Sequence, residues 1–270
     1  MRRLLQDSIP LGGQNISVSF GDGSATVVVT TASNGTATLL HTYAALGTYN
    51  ASATYAGNVQ CLPSNAIDTV EIGKSSSSTT LTIDTETPTA IEPVTFTVVV
   101  DSATAGKLAN VNVMLTYGDG STNTSITNAN GEATFTHVYA LAGDYSVVAT
   151  FAGDETYSRS TAMTTLEVSL ESTSISLLFH PDPAATTAFT IFTATLTYGE
   201  PVSTGLSGKS ITFNFGDGTG NFTSNTLSNG VASLLHTYST DGTYSASATF
   251  EGDGTYHGST STVSVLSQSP

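Results

Sequence analysis

"FGDGTGNFT", residues 215–223, looks like chemistry: an acid between glycines suits a cation, a catalytic carboxylate or a tight turn. Its recurrence decides among them. "FGDGS" stands at 20–24 and "YGDGS" at 117–121, which puts Asp22, Asp119 and Asp217 97 and 98 residues apart. Glycine allows the positive φ of tight turns, and an aspartate side chain can accept a hydrogen bond from the backbone two residues on. The three aspartates therefore read as structural turns, with calcium binding as the alternative.

The surroundings repeat too. "SNGTATLLHTYAALGTYNASATYAG" at 33–57 matches "ANGEATFTHVYALAGDYSVVATFAG" at 129–153 and "SNGVASLLHTYSTDGTYSASATFEG" at 228–252. A period near one hundred residues is a small domain and not a solenoid repeat of about 20–50 residues. Before each GDG run "ISVSF", "VNVMLTY" and "ITFNF", in which Ile16, Val18 and Phe20, or Ile211, Phe213 and Phe215, share one face. Period two, with Ser and Thr between, marks half-buried strands. Turn residues punctuate the chain every ~8–12 residues, which predicts about seven short strands per copy and a two-sheet sandwich. The fold class expected is all-β: three tandem Ig-like β-sandwich domains, the first lacking its N-terminal strands. Tyr49, Tyr145 and Tyr244 open the penultimate strand, where a tyrosine corner is expected.

On these residues the chain resembles two families. "TLSNGVASLLHTYSTDGTYSASATFEGDGTYHGSTSTVSV" at 226–265 resembles the bacterial Ig-like (group 3) repeats of large surface proteins, and "HPDPAATTAFTIFTATL" at 180–196 looks like their first loop and second strand. The "FGDGT…HTY…GTY" skeleton is similar to a PKD domain. The resemblance covers nearly the whole chain. It implies exported structural modules: stalks, spacers, adhesins, filament subunits or accessory domains of enzymes.

The GDG turns serve as a ruler for domain organisation. The expected domains are 1–74, 75–169 and 170–270. The later copies begin near Ser78 and Ser172, about 40 residues ahead of their GDG, whereas only 20 residues precede Gly21. Aligning Asp7-Ser8 with Asp101-Ser102 makes "RRLLQ" the tail of the second strand and leaves the first strand and most of the second absent. Two explanations compete: the chain is an excerpt of a longer repeat protein, or a neighbouring subunit supplies the strand. The linkers, "EIGKSSSSTTLTI" at 71–83 and the passage from Leu166 to Ile175, are short enough to limit swing and favour a semi-rigid rod.

Composition narrows the partners. The 270 residues carry 21 acidic and 6 basic side chains, a net charge of −15. That excludes nucleic acid, which needs basic patches. No apolar run reaches the ~18 residues of a membrane helix, so no membrane insertion is expected in this segment. "MRRLLQDSIPLGG" has no apolar core and is not a secretory signal. The single cysteine, Cys61, rules out an intrachain disulfide; it is a small apolar residue or an interchain partner.

Each remaining candidate has a plain alternative. His41, His137 and His236 recur as "HTY", "HVY" and "HTY" but fall in different copies, so they read as structural loop or edge histidines. Asp154, Glu155 and Asp253 stand in the acidic turns "GDETY" and "GDGTY"; they are calcium candidates at a domain junction, although no turn has the spacing of a calcium loop. Asn15, Asn34, Asn50, Asn123 and Asn221 begin glycosylation sequons, in a chain so rich in Ser and Thr that several arise by chance. No nucleophile elbow, paired carboxylates, HExxH or phosphate loop is present, so no enzyme is expected, no catalytic residue is assigned and no cofactor is implied. The function expected is that of an extracellular, cell-surface structural protein, a filament subunit or stalk section that self-associates end to end. The alternative is an adhesin or a carbohydrate- or calcium-binding spacer, with glycans as partners.

Overall fold

The computed structural model describes residues 9–269. Every regular element among them is a β-strand. The residues form two compact units, 9–76 with 153–158, and 77–152 with 159–269.

In the first unit β1 (Asn15–Ser19), β2 (Val27–Thr30), β3 (Gly47–Tyr55) and β4 (Ser64–Ile72) make one antiparallel sheet ordered β2-β1-β3-β4.

The second unit starts with β5 (Ser78–Ile83), β6 (Pro93–Ser102), β7 (Gly106–Lys107), β8 (Asn112–Thr116), β9 (Thr122–Ile126), β10 (Glu132–Val138), β11 (Gly143–Phe151) and β12 (Ser160–Val168). One sheet is β10-β6-β5, with β7 on β6; the other is β12-β11-β8-β9. Val94, Phe96, Val98 and Val100, every second residue of β6, are fully buried, as are Val113 and Leu115 of β8 and Val147 and Ala149 of β11. Each such side chain contributes about 1.5–3 kcal/mol when buried. The alternation of the sequence is thus the seam between two facing sheets.

The same plan follows in β13 (Thr173–His180), β14 (Ala184–Ala185), β15 (Thr190–Tyr198), β16 (Thr204–Gly205), β17 (Ser210–Asn214), β18 (Asn221–Asn225), β19 (Val231–His236), β20 (Gly242–Phe250) and β21 (Ser259–Gln268). The sheet β13-β15-β16, with β19 on β15, faces β14-β21-β20-β17-β18. The core lies between them, with Phe192, Ile211, Phe213, Phe215 and Tyr238 at its centre. β14 runs parallel to β21, pairing Ala184 with Ser267 and Ala185 with Gln268.

These two sandwiches meet where Ala142 N donates to Gly254 O at 2.8 Å, and the linker residue Glu171 is bonded to the last sandwich, its N donating to Thr255 O and its O accepting from His257 N, each at 2.8 Å. Thr255 Oγ1 donates to Ala140 O, also at 2.8 Å. The linker is therefore a hydrogen-bonded segment.

The protein is a chain of tandem Ig-like sandwiches, and among the described residues the first copy shows one sheet of the two. Measured from the GDG turn, β1, β2, β3 and β4 correspond to β8, β9, β11 and β12. The sequence matching β10 is present at 36–42 but forms no strand, because nothing among the described residues pairs with it as β6 pairs with β10. The inward residues Ile16, Val18, Ala51 and Ala53 are only half-buried, and Thr31 is the one buried residue between 9 and 76. Phe135 of β10 is 3% exposed; Leu39 in its place is half-buried and the next residue, Leu40, is 98% exposed. Residues 2–6, assigned from sequence to the tail of a second strand, lie outside the described residues.

Candidate functional site

The three GDG turns share one local construction. Asp22 Oδ1 accepts from Ser24 N at 3.0 Å and Ser24 Oγ at 2.6 Å. Asp119 does the same with Ser121, at 2.9 and 2.6 Å, and Asp217 with Thr219, at 3.1 and 2.6 Å. The first glycine of each turn holds a positive φ and lies against a backbone: Gly118 against Ser146, Gly216 against Ser245, where an added Cβ would meet the carbonyl oxygen. The second glycine also has positive φ but faces open space.

The other carboxylate oxygen meets the recurring histidine. Asp22 Oδ2 accepts from His41 Nε2 at 2.7 Å, Asp119 from His137 at 2.7 Å and Asp217 from His236 at 2.8 Å. Each imidazole stacks on the aromatic residue before the turn, with centroids 3.8 Å apart for Phe20–His41 and 4.0 Å for both Tyr117–His137 and Phe215–His236. Each then meets a tyrosine edge-on at 4.7 Å: Tyr43, Tyr139 or Tyr238. These tyrosines donate to the carbonyls of Phe20, Tyr117 and Phe215 at 3.0–3.1 Å. They pack in turn on Tyr49, Tyr145 and Tyr244, whose hydroxyls donate to Ala45, Leu141 and Thr240 carbonyls at 2.8, 2.8 and 2.9 Å. An unbroken run of contacts thus links the GDG turn to the tyrosine corner in every copy, including the single-sheet one.

The electrostatics follow from these bonds. At Asp22 the Ser24 hydroxyl, then His41 and the Ser24 amide, hold the carboxyl far below its ordinary range. At Asp119 desolvation opposes ionisation, but the Ser121 and His137 hydrogen bonds outweigh it and leave the pKa at about 2. Asp217 is lowered by the same balance. Burial pushes the Tyr139 and Tyr238 hydroxyls up. An Asp–His pair beside a hydroxyl has the residue types of a hydrolytic triad. Here, however, the hydroxyl proton of Ser24, Ser121 or Thr219 is committed to the carboxylate. The arrangement braces a turn. Sequence reasoning treated these histidines as separate loop residues. The signal for their pairing was the nearly constant spacing, 18 or 19 residues, from each GDG aspartate.

The remaining candidates sit as follows. Asp154 Oδ1 accepts from Thr156 N at 2.8 Å and Tyr157 N at 2.7 Å, and Glu155 is exposed beside it. Asp253 Oδ1 accepts from Thr255 N and Tyr256 N, while its other oxygen meets Lys209 Nζ at 2.5 Å. Lys209 lies 4.8 Å over the Tyr256 ring. Asp253 therefore already has a cation. Among the described residues no three His, Cys, Asp or Glu side chains converge as a metal site would require. Asn15, Asn34, Asn50, Asn123 and Asn221 are all exposed. Thr30 Oγ1 donates to Asn15 and Thr69 Oγ1 to Asn50 across neighbouring strands. Cys61 is a half-buried free thiol.

Fold and turn construction together define a class: tandem Ig-like, PKD-like β-sandwich repeats. Residues 78–168 match the PKD domain family. No curated protein matches the sequence. Among solved structures, a 1.5-MDa bacterial ice-binding adhesin is 14% identical, over 96% of this chain and 88% of that one, with a TM-score of 0.34. Invasin, a bacterial integrin-binding protein, is 16% identical over 71% of this chain, which spans only 39% of it, with a TM-score of 0.48. The D0-D1 domain of intimin is 23% identical, over 69% of this chain and 97% of that one, with a TM-score of 0.28.

Proposed function

We propose that the protein is an extracellular structural component, three modules bounded near 1–74, 75–169 and 170–270, that assembles end to end into a cell-surface filament or stalk. The observation that carries this reading is the tandem plan: one sandwich architecture built twice in succession, after a copy whose described residues repeat one of its two sheets. Exposed strand edges are templates for pairing with another chain. The hydrogen-bonded junction between the two complete sandwiches supports a mechanical role. A low charge content, a Ser/Thr-rich surface and five exposed sequons suit an exported protein.

Electron microscopy of the purified protein over a concentration series tests the reading. Filaments are expected. Monodisperse monomers with a cooperatively folded first domain overturn it.

A further inference from the structure

We propose that the outer face of the sheet formed by β13, β15 and β19 is a lateral docking surface for a second copy of this chain, the two faces packing sheet on sheet. It goes beyond end-to-end assembly, because it joins chains side by side.

The middle sandwich is the reference. Ile91 and Thr187 both hold a positive φ and donate their amides to the carbonyls of Tyr139 and Tyr238, at 2.8 and 2.9 Å, which aligns the two copies. Leu178 then pairs with Thr193 as Thr82 pairs with Thr97, and Leu235 with Ile191 as Thr136 with Thr95. Where the middle copy carries Thr82, Thr95 and Thr136 on its outer face, the last copy carries Leu178, Ile191 and Leu235. The flanks change in the same sense: Asp84, Glu92 and Pro93 give way to His180, Ala188 and Phe189. The middle copy forms the same sheet with threonine outside, so the fold does not require apolar residues there.

These side chains make one patch. Ile191 stands directly opposite Leu235 on one side and His180 on the other, and Leu178 is its diagonal neighbour. Directly opposite residues hold their Cβ atoms about 4.5–5.5 Å apart, and diagonal neighbours about 7–8 Å. Phe189 lies two residues before Ile191, just ahead of β15. Leu178, Leu235 and Phe189 are 61–73% exposed and Ile191 is 40% exposed. Single exposed apolar residues are ordinary, whereas a contiguous group on one face marks an interaction surface.

Charge and area identify the occupant. At a net charge of −15, two copies repel wherever their acids meet. Beside the patch, the outward residues of the three strands are serines and threonines with Val231 and His180, and none is acidic. The nearest acids in sequence, Glu171, Asp182 and Glu200, stand outside the strands. None of the five sequons lies on them. This is a face on which two acidic chains can meet, related by a two-fold axis, with their sheets about 10 Å apart. Three strands about 4.8 Å apart, with eight residues in β13, give a face of roughly 14 by 26 Å. That is about half of the ~800 Å² that each partner buries in a standard interface. One such contact is weak, and repetition along an assembled array strengthens it.

Sedimentation velocity of the full chain from about 10 µM to about 1 mM tests this. A reversible dimer is expected toward the upper end. It should tighten as salt rises, because salt screens acidic repulsion and leaves apolar contact intact. The triple variant Leu178→Thr, Ile191→Thr and Leu235→Thr takes the residues of the middle copy. It is expected to keep its far-ultraviolet spectrum and to weaken dimerisation about tenfold or more. Leu235→Asp, a single change at an exposed position, sets carboxylates against one another and is expected to abolish the dimer. Wild type that stays monomeric at about 1 mM overturns the proposal. So does a folded triple variant, or Leu235→Asp, that dimerises like the wild type, and so does a dimer that salt dissociates. Wild type that binds neutral lipid vesicles without dimerising gives the face to another occupant and overturns it too. Dimers without filaments uphold this surface and overturn the filament reading; single filaments that never pair side by side do the reverse.

Discussion

His137 lies flat on Tyr117, ring centroids 4.0 Å apart, while its Nε2 donates to Asp119 Oδ2 at 2.7 Å. One carboxylate therefore holds both its own turn and the histidine of β10, which belongs to the facing sheet. Asp119→Ala removes the acceptor for the Ser121 amide and hydroxyl and for His137 together. It is expected to cost about 1–3 kcal/mol, read as a lower urea midpoint at unchanged m-value. Asp119→Asn, which keeps one carbonyl acceptor, is expected to cost less.

The same carboxylate gives a pH signature. Asp119 ionises at about 2 in the folded protein against an ordinary 3.8. A folded-state pKa below the unfolded one adds stability that is complete above the unfolded value and is lost as pH falls through the folded one. Asp22 and Asp217 shift in the same direction. The sandwiches are expected to hold their stability down to about pH 4 and to lose it progressively toward about pH 2. In Asp119→Asn the share of that decline due to this residue should vanish, and circular dichroism along an acid titration measures it. An Asn variant with the wild-type acid slope would contradict this.

The two glycines of one turn should separate on substitution. Gly216→Ala combines a positive φ with a collision against the Ser245 carbonyl, whereas Gly218→Ala has the positive φ alone and open space around it. The second is expected to cost about 1 kcal/mol, and the first clearly more. Thermal unfolding of both variants decides; equal losses would mean that close approach to β20 is unimportant.

Equivalent core positions should differ by copy. Phe135→Ala empties a packed site and is expected to cost about 3–5 kcal/mol. Leu39→Ala, at a half-buried position, is expected to cost less than about 1 kcal/mol. Hydrogen exchange resolved by segment can follow the two units separately. Comparable losses would show that the first copy is as closed as the second.

Much of this was legible because the signal was periodic. Alternation over five to ten residues marked the long strands, and threefold recurrence placed the GDG turns and the tyrosine series. Seven strands per copy were expected; β5–β12 and β13–β21 include more, because β7, β14 and β16 are two-residue pairings too short to leave a pattern. The Asp–His pairs were missed for a related reason. His137 sits in β10 and Asp119 in the turn after β8, so the bond crosses from one sheet to the other, and no local rule reaches that far. The short run ahead of the first GDG turn was visible as a length. That 36–42 pairs with no strand among the described residues needed the register of β10 on β6 to be seen.

The parallel pairing of β14 with β21 has a mechanical consequence. These segments lie close to the entry and exit of the last sandwich, and they run the same way. Pulling the chain at its two ends slides one past the other, so the ladder is strained all at once along its length and not opened one rung at a time. Thr186 reinforces that contact, its amide donating to Gln268 O at 2.8 Å and its hydroxyl to Asp241 at 2.5 Å. The module is fastened at the place where tension would arrive.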